Sequence, residues 1–156
     1  MPLKVLGSIN QNDYYEEIIS VLRFNKILDK VEFCGMQKNV CAYMQAANGI
    51  VISSLSEGFG FCMAEAMFNE CAVVGYDVSG THLQFENGLK LMGSEIGYRY
   101  HNKKELKEAL LKLDYQENET MIKNAWLTVN QLYSKEINME AIYSYYKYII
   151  NQKDNG

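Results

Sequence analysis

The chain has 156 residues, 48% hydrophobic and 22% charged, with a formal net charge of -4. This length and apolar content suit one domain with a packed core and exclude an intrinsically disordered chain. The acidic balance argues against nucleic acid as a partner, and the absence of long apolar runs argues against a membrane-spanning segment or a signal peptide, so we expect a cytoplasmic domain.

Strand-like and helical segments alternate along the chain. Strands are predicted where apolar residues run without polar alternation, and helices where apolar residues recur three and four apart. The predicted strands are 3–7, 31–35, 49–54, 72–76 and 96–100. The predicted helices are 12–23, 39–46, about 60–69, a segment that Asn102 caps, about 117–133 and about 138–150. This order predicts an α/β fold with a Rossmann-like parallel sheet flanked by helices, in one domain over 1–156.

Apolar stripes on these helices predict the side chains that face the core. The stripes include Val40 in the second helix, Trp126 in the fifth, and Met139, Ile142 and Tyr146 in the last.

The cysteines have apolar neighbours and no CxxC spacing, whereas zinc ligands usually come in short pairs. We therefore interpret all four as small core residues and expect no metal site and no cofactor. They are Cys34, Cys41, Cys62 and Cys71.

One predicted strand-to-helix loop carries a chemical signal. Gly58 and Gly60 precede a helix whose free backbone N–H groups and dipole favour an anion. Glu57 lies in the loop, and Glu65 lies about 8 Å further along the helix axis at 1.5 Å per residue. A carboxylate accepts hydrogen bonds from two adjacent hydroxyls, so this segment is typical of a site for an anion and a sugar.

This segment resembles a known family. The string NGIVISSLSEGFGFCMAEAM, with Glu57 and Glu65 separated by seven residues, is similar to the Glu-x7-Glu motif of retaining glycosyltransferases of the group 1 (family 4) type. VEFCG at 31–35 and AVVGYDVSGT at 72–81 resemble the flanking strands and turns of that family. The resemblance covers about 3–150 and implies the C-terminal, donor-binding half of a GT-B fold.

The resemblance implies roles for individual positions. Glu57 would be the catalytic-site residue that contacts hydroxyls of the donor sugar, and Glu65 would bind the ribose of the nucleotide. Backbone amides would face the hexose and diphosphate, and the turn after the second strand would border the base. The sugar and diphosphate positions are Gly58, Phe59, Gly60, Phe61 and Gly80; the base-bordering positions are Gly35, Met36 and Gln37.

Several positions depart from the family pattern. Ser53 replaces the proline that precedes the motif serine in the family, and Glu70 replaces the glycine that ends the motif helix. Ser79 replaces the first glycine of a Gly-Gly turn. We expect Asn69 to adopt the left-handed conformation in place of the missing glycine. A glutamate that the family places three residues after Gly80 is here Leu83.

The expected activity is transfer of a hexose from a nucleotide-diphosphate sugar with retention of configuration, in cell-surface polysaccharide synthesis. The family's diphosphate-binding Arg and Lys precede the strand that 3–7 resembles, and Arg23 and Arg99 match neither. We therefore expect the N-terminal acceptor domain and the first strand–helix unit of this domain to be absent, and the chain alone to be inactive. Peripheral membrane association of the full enzyme stays open.

Two other functions are compatible with the residues. One is a non-catalytic module that binds nucleotide sugars or a partner protein, which the Leu83 substitution favours. The other is a fragment of a GT-B nucleotide-sugar 2-epimerase, which the Glu-x7-Glu segment fits less well.

Overall fold

A computed structural model describes residues 2–10 and 12–153, with side chains up to residue 151. The chain forms two compact units, which divide after Val40. Each unit contains a parallel sheet, and the predicted α/β fold with parallel strands flanked by helices is confirmed. The strands form two hydrogen-bonded sheets rather than the single sheet that the alternation predicts.

In the first unit, strands β1 (Leu3–Leu6) and β2 (Val31–Gly35) pair in parallel. Helix α1 (Asn12–Phe24) and a 3-10 turn (Leu28–Lys30) connect them. The predicted apolar stripe of α1 faces inward: Ile19 is buried, and the Tyr15 ring meets Phe33 of β2 edge-on, with centroids 5.1 Å apart.

The second unit contains three parallel strands, β3 (Ile50–Ile52), β4 (Val73–Tyr76) and β5 (Tyr98–Tyr100), with β4 in the centre. Its helices are α2 (Val40–Ala46), which begins at the boundary, α3 (Phe61–Phe68), α4 (Ser79–Met92), α5 (Lys103–Tyr115), α6 (Glu119–Tyr133) and α7 (Lys135–Lys153). None of the described helices has the combination of length and hydropathy that crossing a bilayer needs.

The core of the second unit surrounds β4, whose Val73 and Val74 are fully buried. This confirms the sequence interpretation of 72–76 as a strand covered on both faces. Strand β3 differs, because it lies at the edge of its sheet and Val51 is exposed. The predicted cap of α5 is also confirmed, since the Asn102 side chain accepts hydrogen bonds from the backbone N–H groups of Lys104 and Glu105.

Several predicted core positions are wrong. Helix α6 buries the face that carries Ala125, Thr128 and Val129. With the helix turned in this way, Trp126 is 37% exposed. Helix α7 packs chiefly against α6, so its stripe does not reach the core. The exposed side chains are Val40, Trp126, Met139, Ile142 and Tyr146.

Helix α4 is absent from the sequence prediction, although Phe85, Leu89 and Met92 lie on one helical face. Two glycines obscured its pattern. One of them, Gly88, is required by packing: a Cβ there would lie 2.4 Å from Cδ1 of Ile96. Glycine is unfavourable inside a helix, but close contact with Ile96 requires it at position 88.

The turn between α3 and β4 corrects a second expectation. The left-handed residue is Glu70, with φ 53°, whereas Asn69 has φ -92°. The N–H of Cys71 donates to the carbonyl of Ala66 and the N–H of Glu70 to that of Met67, which is the Schellman arrangement of a helix end. Glutamate thus occupies a position that glycine normally fills.

Replacing Glu70 with glycine should stabilise the chain. A non-glycine residue in the left-handed region costs about 1–2 kcal/mol, part of which the greater unfolded-state entropy of glycine offsets. We expect Glu70→Gly to raise the free energy of unfolding by about 0.5–1 kcal/mol in urea denaturation. Glu70→Ala is the matched control, because it removes the carboxylate and keeps a Cβ; equal stabilisation by both variants would contradict the backbone explanation.

The cysteines are unpaired thiols, and only Cys71 is a core residue. Cys34 is half-buried, while Cys41 and Cys62 are exposed, so the prediction of four core cysteines is wrong for these three. Burial raises the pKa of the Cys71 thiol to about 11.

Thiol labelling should distinguish these environments. Iodoacetamide reacts with thiolate, and Cys71 is both protonated near pH 8 and only 2% exposed. We expect the native chain to alkylate Cys41 at least about tenfold faster than Cys71, as measured by peptide mass spectrometry. In denaturant the two rates should converge, and rapid native labelling of Cys71 would show that this thiol is not buried.

Candidate functional site: the loop before helix α3

The candidate site is the loop between β3 and α3, residues 53–60. Gly60 caps α3 in the left-handed region with φ 83°, where an L side chain would be strained. Its carbonyl accepts hydrogen bonds from the N–H groups of Met63 and Ala64. The N–H groups ahead of these bonds have no intrahelical acceptor, which leaves donors at the end of the helix where the dipole is positive.

Helix α3 is anchored by one face. The buried side chains are Met63, Ala64, Ala66 and Met67. The opposite face carries Phe61, Cys62 and Glu65, all exposed. The apolar spacing of this short helix therefore decides which side chains can meet a ligand.

The turn that follows β4 packs directly on this loop. Strands β3 and β4 are parallel neighbours, so their carboxyl ends lie at the same edge of the sheet. The N–H of Gly80 donates to the carbonyl of Glu57 at 3.0 Å. A Cβ on Gly80 would lie 2.6 Å from the carbonyl carbon of Phe59 and 2.8 Å from the carbonyl oxygen of Gly58, so no other residue fits without moving the backbone.

Two buried polar residues of α4 reinforce this contact. The Gln84 amide nitrogen donates to the carbonyl of Phe59 and, at 3.0 Å, to that of Gly60. The Thr81 hydroxyl lies 2.5 Å from the carbonyl oxygen of Tyr76 and ties the start of α4 to the end of β4. Both side chains are fully buried. Sequence reasoning missed both, although Gln84 lies one helical turn after Gly80.

Aromatic rings pack behind the loop. The Phe59 ring lies edge-on to Phe61 and to Tyr133 of α6, with centroids 5.1 Å and 4.9 Å apart. The Tyr133 hydroxyl accepts a hydrogen bond from the Asn87 amide of α4 at 3.0 Å. Residues from α3, α4 and α6 thus fix the loop from its inner side.

The two motif glutamates both lie near Cys62 of α3. Glu57 is half-buried in the loop, and Glu65 is exposed on the helix. Burial raises the pKa of the Cys62 thiol, and the negative charges of Glu65 and Glu57 raise it further. Both carboxylates are therefore close enough to Cys62 to disfavour its thiolate form.

The predicted base-bordering residues lie in the first unit, at the end of β2. Gly35 has φ 64° and accepts a hydrogen bond from the N–H of Gly7. Met36 is 75% exposed, and the Gln37 amide donates to the carbonyl of Cys34 at 2.5 Å. Of the predicted site residues, the structure brings together the loop 57–60 and Gly80, and it places Phe61 and Glu65 on the adjacent helix.

An ionic cluster lies at the same edge of the second sheet. Asp77, after β4, is mostly buried and contacts His82 at 2.8 Å and His101 at 3.3 Å. Arg99 pairs with Glu86 and Glu95. Burial by itself would lower the pKa of Arg99, but its hydrogen bonds with these glutamates and the charge of Asp77 raise it overall. The Arg99 charge is thus already balanced within the unit.

No group of three or more potential ligands is arranged to hold a metal ion within residues 2–10 and 12–153.

Comparison with known proteins identifies the family. A family profile described as "Glycosyl transferases group 1" matches residues 2–114. The chain belongs to this family. The comparison with curated protein sequences gave no match.

Solved structures show the same fold. Anabaena HepE in complex with UDP-glucose matches with a TM-score of 0.75 and 19% identity, over 94% of this chain and 41% of HepE. Sucrose-phosphate synthase from Thermosynechococcus elongatus matches with a TM-score of 0.80 and 22% identity, over 96% of this chain and 39% of the synthase. WaaG, a glycosyltransferase involved in lipopolysaccharide biosynthesis, matches with a TM-score of 0.71 and 19% identity, over 90% of this chain and 36% of WaaG. The chain spans about two fifths of the length of these three proteins.

Substitution of Gly80 should test the packing at this site. In Gly80→Ala the new Cβ meets backbone atoms that cannot rotate away, so we expect a loss of at least about 2 kcal/mol in the free energy of unfolding. Gly58→Ala is the matched control, since a Cβ there has nothing within 4 Å, and it should change stability by less than about 0.5 kcal/mol. Similar effects of both substitutions in urea titrations would refute the close approach.

Proposed function

We propose that this chain is the donor-binding portion of a retaining glycosyltransferase that transfers a hexose from a nucleotide-diphosphate sugar. The observation that carries the proposal is the loop 57–60 at the N-terminus of α3, held from behind by Gly80 and Gln84. Membership of the group 1 family supports a transferase. The similarity to HepE, which was solved with UDP-glucose, supports a nucleotide sugar as the ligand class.

The proposed ligand lies across the loop. Glu57 accepts hydrogen bonds from hydroxyls of the donor sugar, and Glu65 accepts them from the ribose, because a carboxylate suits two adjacent hydroxyls. The backbone amides of 58–61, with Gly80 behind them, face the sugar and the diphosphate. No metal and no cofactor take part in this proposal.

The proposed chemistry requires the protein mainly to stabilise a leaving group. The acceptor hydroxyl bonds to the anomeric carbon on the face from which the diphosphate departs, and its proton passes to a diphosphate oxygen. The sugar becomes oxocarbenium-like while negative charge grows on the diphosphate. Preorganised amides at a helix N-terminus favour that charge without reorganising, which lowers the barrier. Glu57 positions the sugar and forms no covalent intermediate.

We further propose that a second GT-B domain completes the enzyme and that the chain by itself transfers no sugar. The solved relatives are more than twice as long as the part that this chain matches. A charge-assisted hydrogen bond to a diphosphate contributes roughly 1.5–3 kcal/mol, so an incomplete site binds the donor weakly. Synthesis of cell-surface polysaccharide at the cytoplasmic face of a membrane is the process we propose for the complete enzyme.

A non-catalytic module that binds nucleotide sugars is the second candidate. Leu83 favours it, because this side chain is 54% exposed at the position where the family resemblance implies a glutamate. Sugar transfer after addition of a complementing N-terminal domain would decide for the enzyme, and donor binding without transfer would decide for the module.

Calorimetric titration tests the donor site. We expect UDP, GDP or ADP, or a matching sugar nucleotide, to bind the wild-type chain, and Glu65→Ala to weaken that binding about tenfold or more, since it removes hydrogen bonds between a carboxylate and the ribose. Glu108→Ala is the control, because it removes an exposed glutamate from α5 of the same unit. Absence of binding at millimolar concentration, or equal weakening by both variants, would contradict the proposed site.

A further inference from the structure

Gln84 is a fully buried polar side chain attached to the candidate site. It lies on α4 one turn after Gly80, and its amide nitrogen donates to two successive carbonyls, those of Phe59 and Gly60. Gln84 also packs closely on Gly60, since a Cβ on Gly60 would lie 3.1 Å from the same nitrogen. Gln84 therefore ties two consecutive peptide planes to α4, in addition to the helical hydrogen bonds that the Gly60 carbonyl accepts from Met63 and Ala64.

The orientation of these planes fixes the donors of the loop. No described peptide bond is cis, and in a planar trans peptide the C=O and the N–H point in opposite directions. The carbonyls of Phe59 and Gly60 point at Gln84, so the N–H groups of Gly60 and Phe61 point away from it. Two adjacent N–H groups with one direction form a concave anion site of the kind that phosphates occupy.

Gln84 is explained by its contact with the loop. Its carbonyl oxygen is buried and has no hydrogen-bond partner among the described residues. An unpaired buried acceptor is unfavourable, and an apolar side chain of similar length would avoid it. The hydrogen bonds to the loop are therefore the evident gain from a glutamine at this position.

We propose that Gln84 is a positioning residue that holds the N–H groups of Gly60 and Phe61 toward the diphosphate of the donor. This inference rests on the proposed function. Gln84 does not touch the ligand in this arrangement; it acts through the two peptide planes. Loss of its amide should weaken the contact with phosphate groups and leave contacts with the nucleoside nearly unchanged.

The test compares two substitutions with a control. Gln84→Met keeps the length and removes both donors, and Gln84→Glu keeps the shape and places an acceptor against two carbonyls. Thr128→Val is the matched control, because Thr128 is equally buried, lies on α6 and bonds only within its own helix. The measurement is calorimetry with UDP, GDP and ADP, each beside its own nucleoside.

We expect both Gln84 variants to weaken nucleoside diphosphate binding about tenfold, while nucleoside binding changes less than about twofold. Thr128→Val should change neither affinity. Unchanged diphosphate binding in both variants, or equal weakening of diphosphate and nucleoside, would overturn the role of Gln84. Absence of nucleoside diphosphate binding by the wild-type chain would instead contradict the proposed function, and the anion-facing role with it.

Discussion

The close approach of Gly80 to the loop 57–60 is the constraint on which the candidate site depends. Backbone meets backbone there, with a hydrogen bond to the carbonyl of Glu57 and no space for a Cβ. This contact joins the ends of β3 and β4, and it brings Gln84 within reach of the carbonyls of Phe59 and Gly60. The proposed anion site thus depends on three elements rather than on one loop.

The same unit tolerates backbone strain at two turns. Glu70 at the end of α3 and Ser79 at the start of α4 have positive φ angles of 53° and 46°. The family resemblance implies glycine at both positions, so the chain keeps a left-handed backbone without the residue that favours it. The hydrogen bonds of the helix end and the packing of Gly80 offset the cost.

The charges of the ionic cluster around Asp77 and Arg99 are committed to structure. Arg99 pairs with Glu86 and Glu95, and Asp77 is shared by two histidines. A diphosphate at the loop would therefore be met mainly by backbone N–H groups and the helix dipole, which interact less strongly than a paired guanidinium. The weak donor binding that we propose for the chain alone agrees with this arrangement. The orientation of each backbone amide would then have a larger effect on the affinity for the diphosphate.

Local pattern in the sequence determined the strands, most of the helices and the loop that carries Glu57, because buried strands and short glycine-flanked turns leave a signature within a few residues. It also determined the cap of α5 at Asn102. Local pattern could not locate α4, whose glycines look like turn residues and are required only because Ile96 and the loop 57–60 press against them. Nor could it assign Gln84 to the site, or tell that Trp126 and α7 remain exposed, since those facts depend on which elements pack together. Contacts between segments distant in sequence have no local signature, so only the tertiary structure decided them.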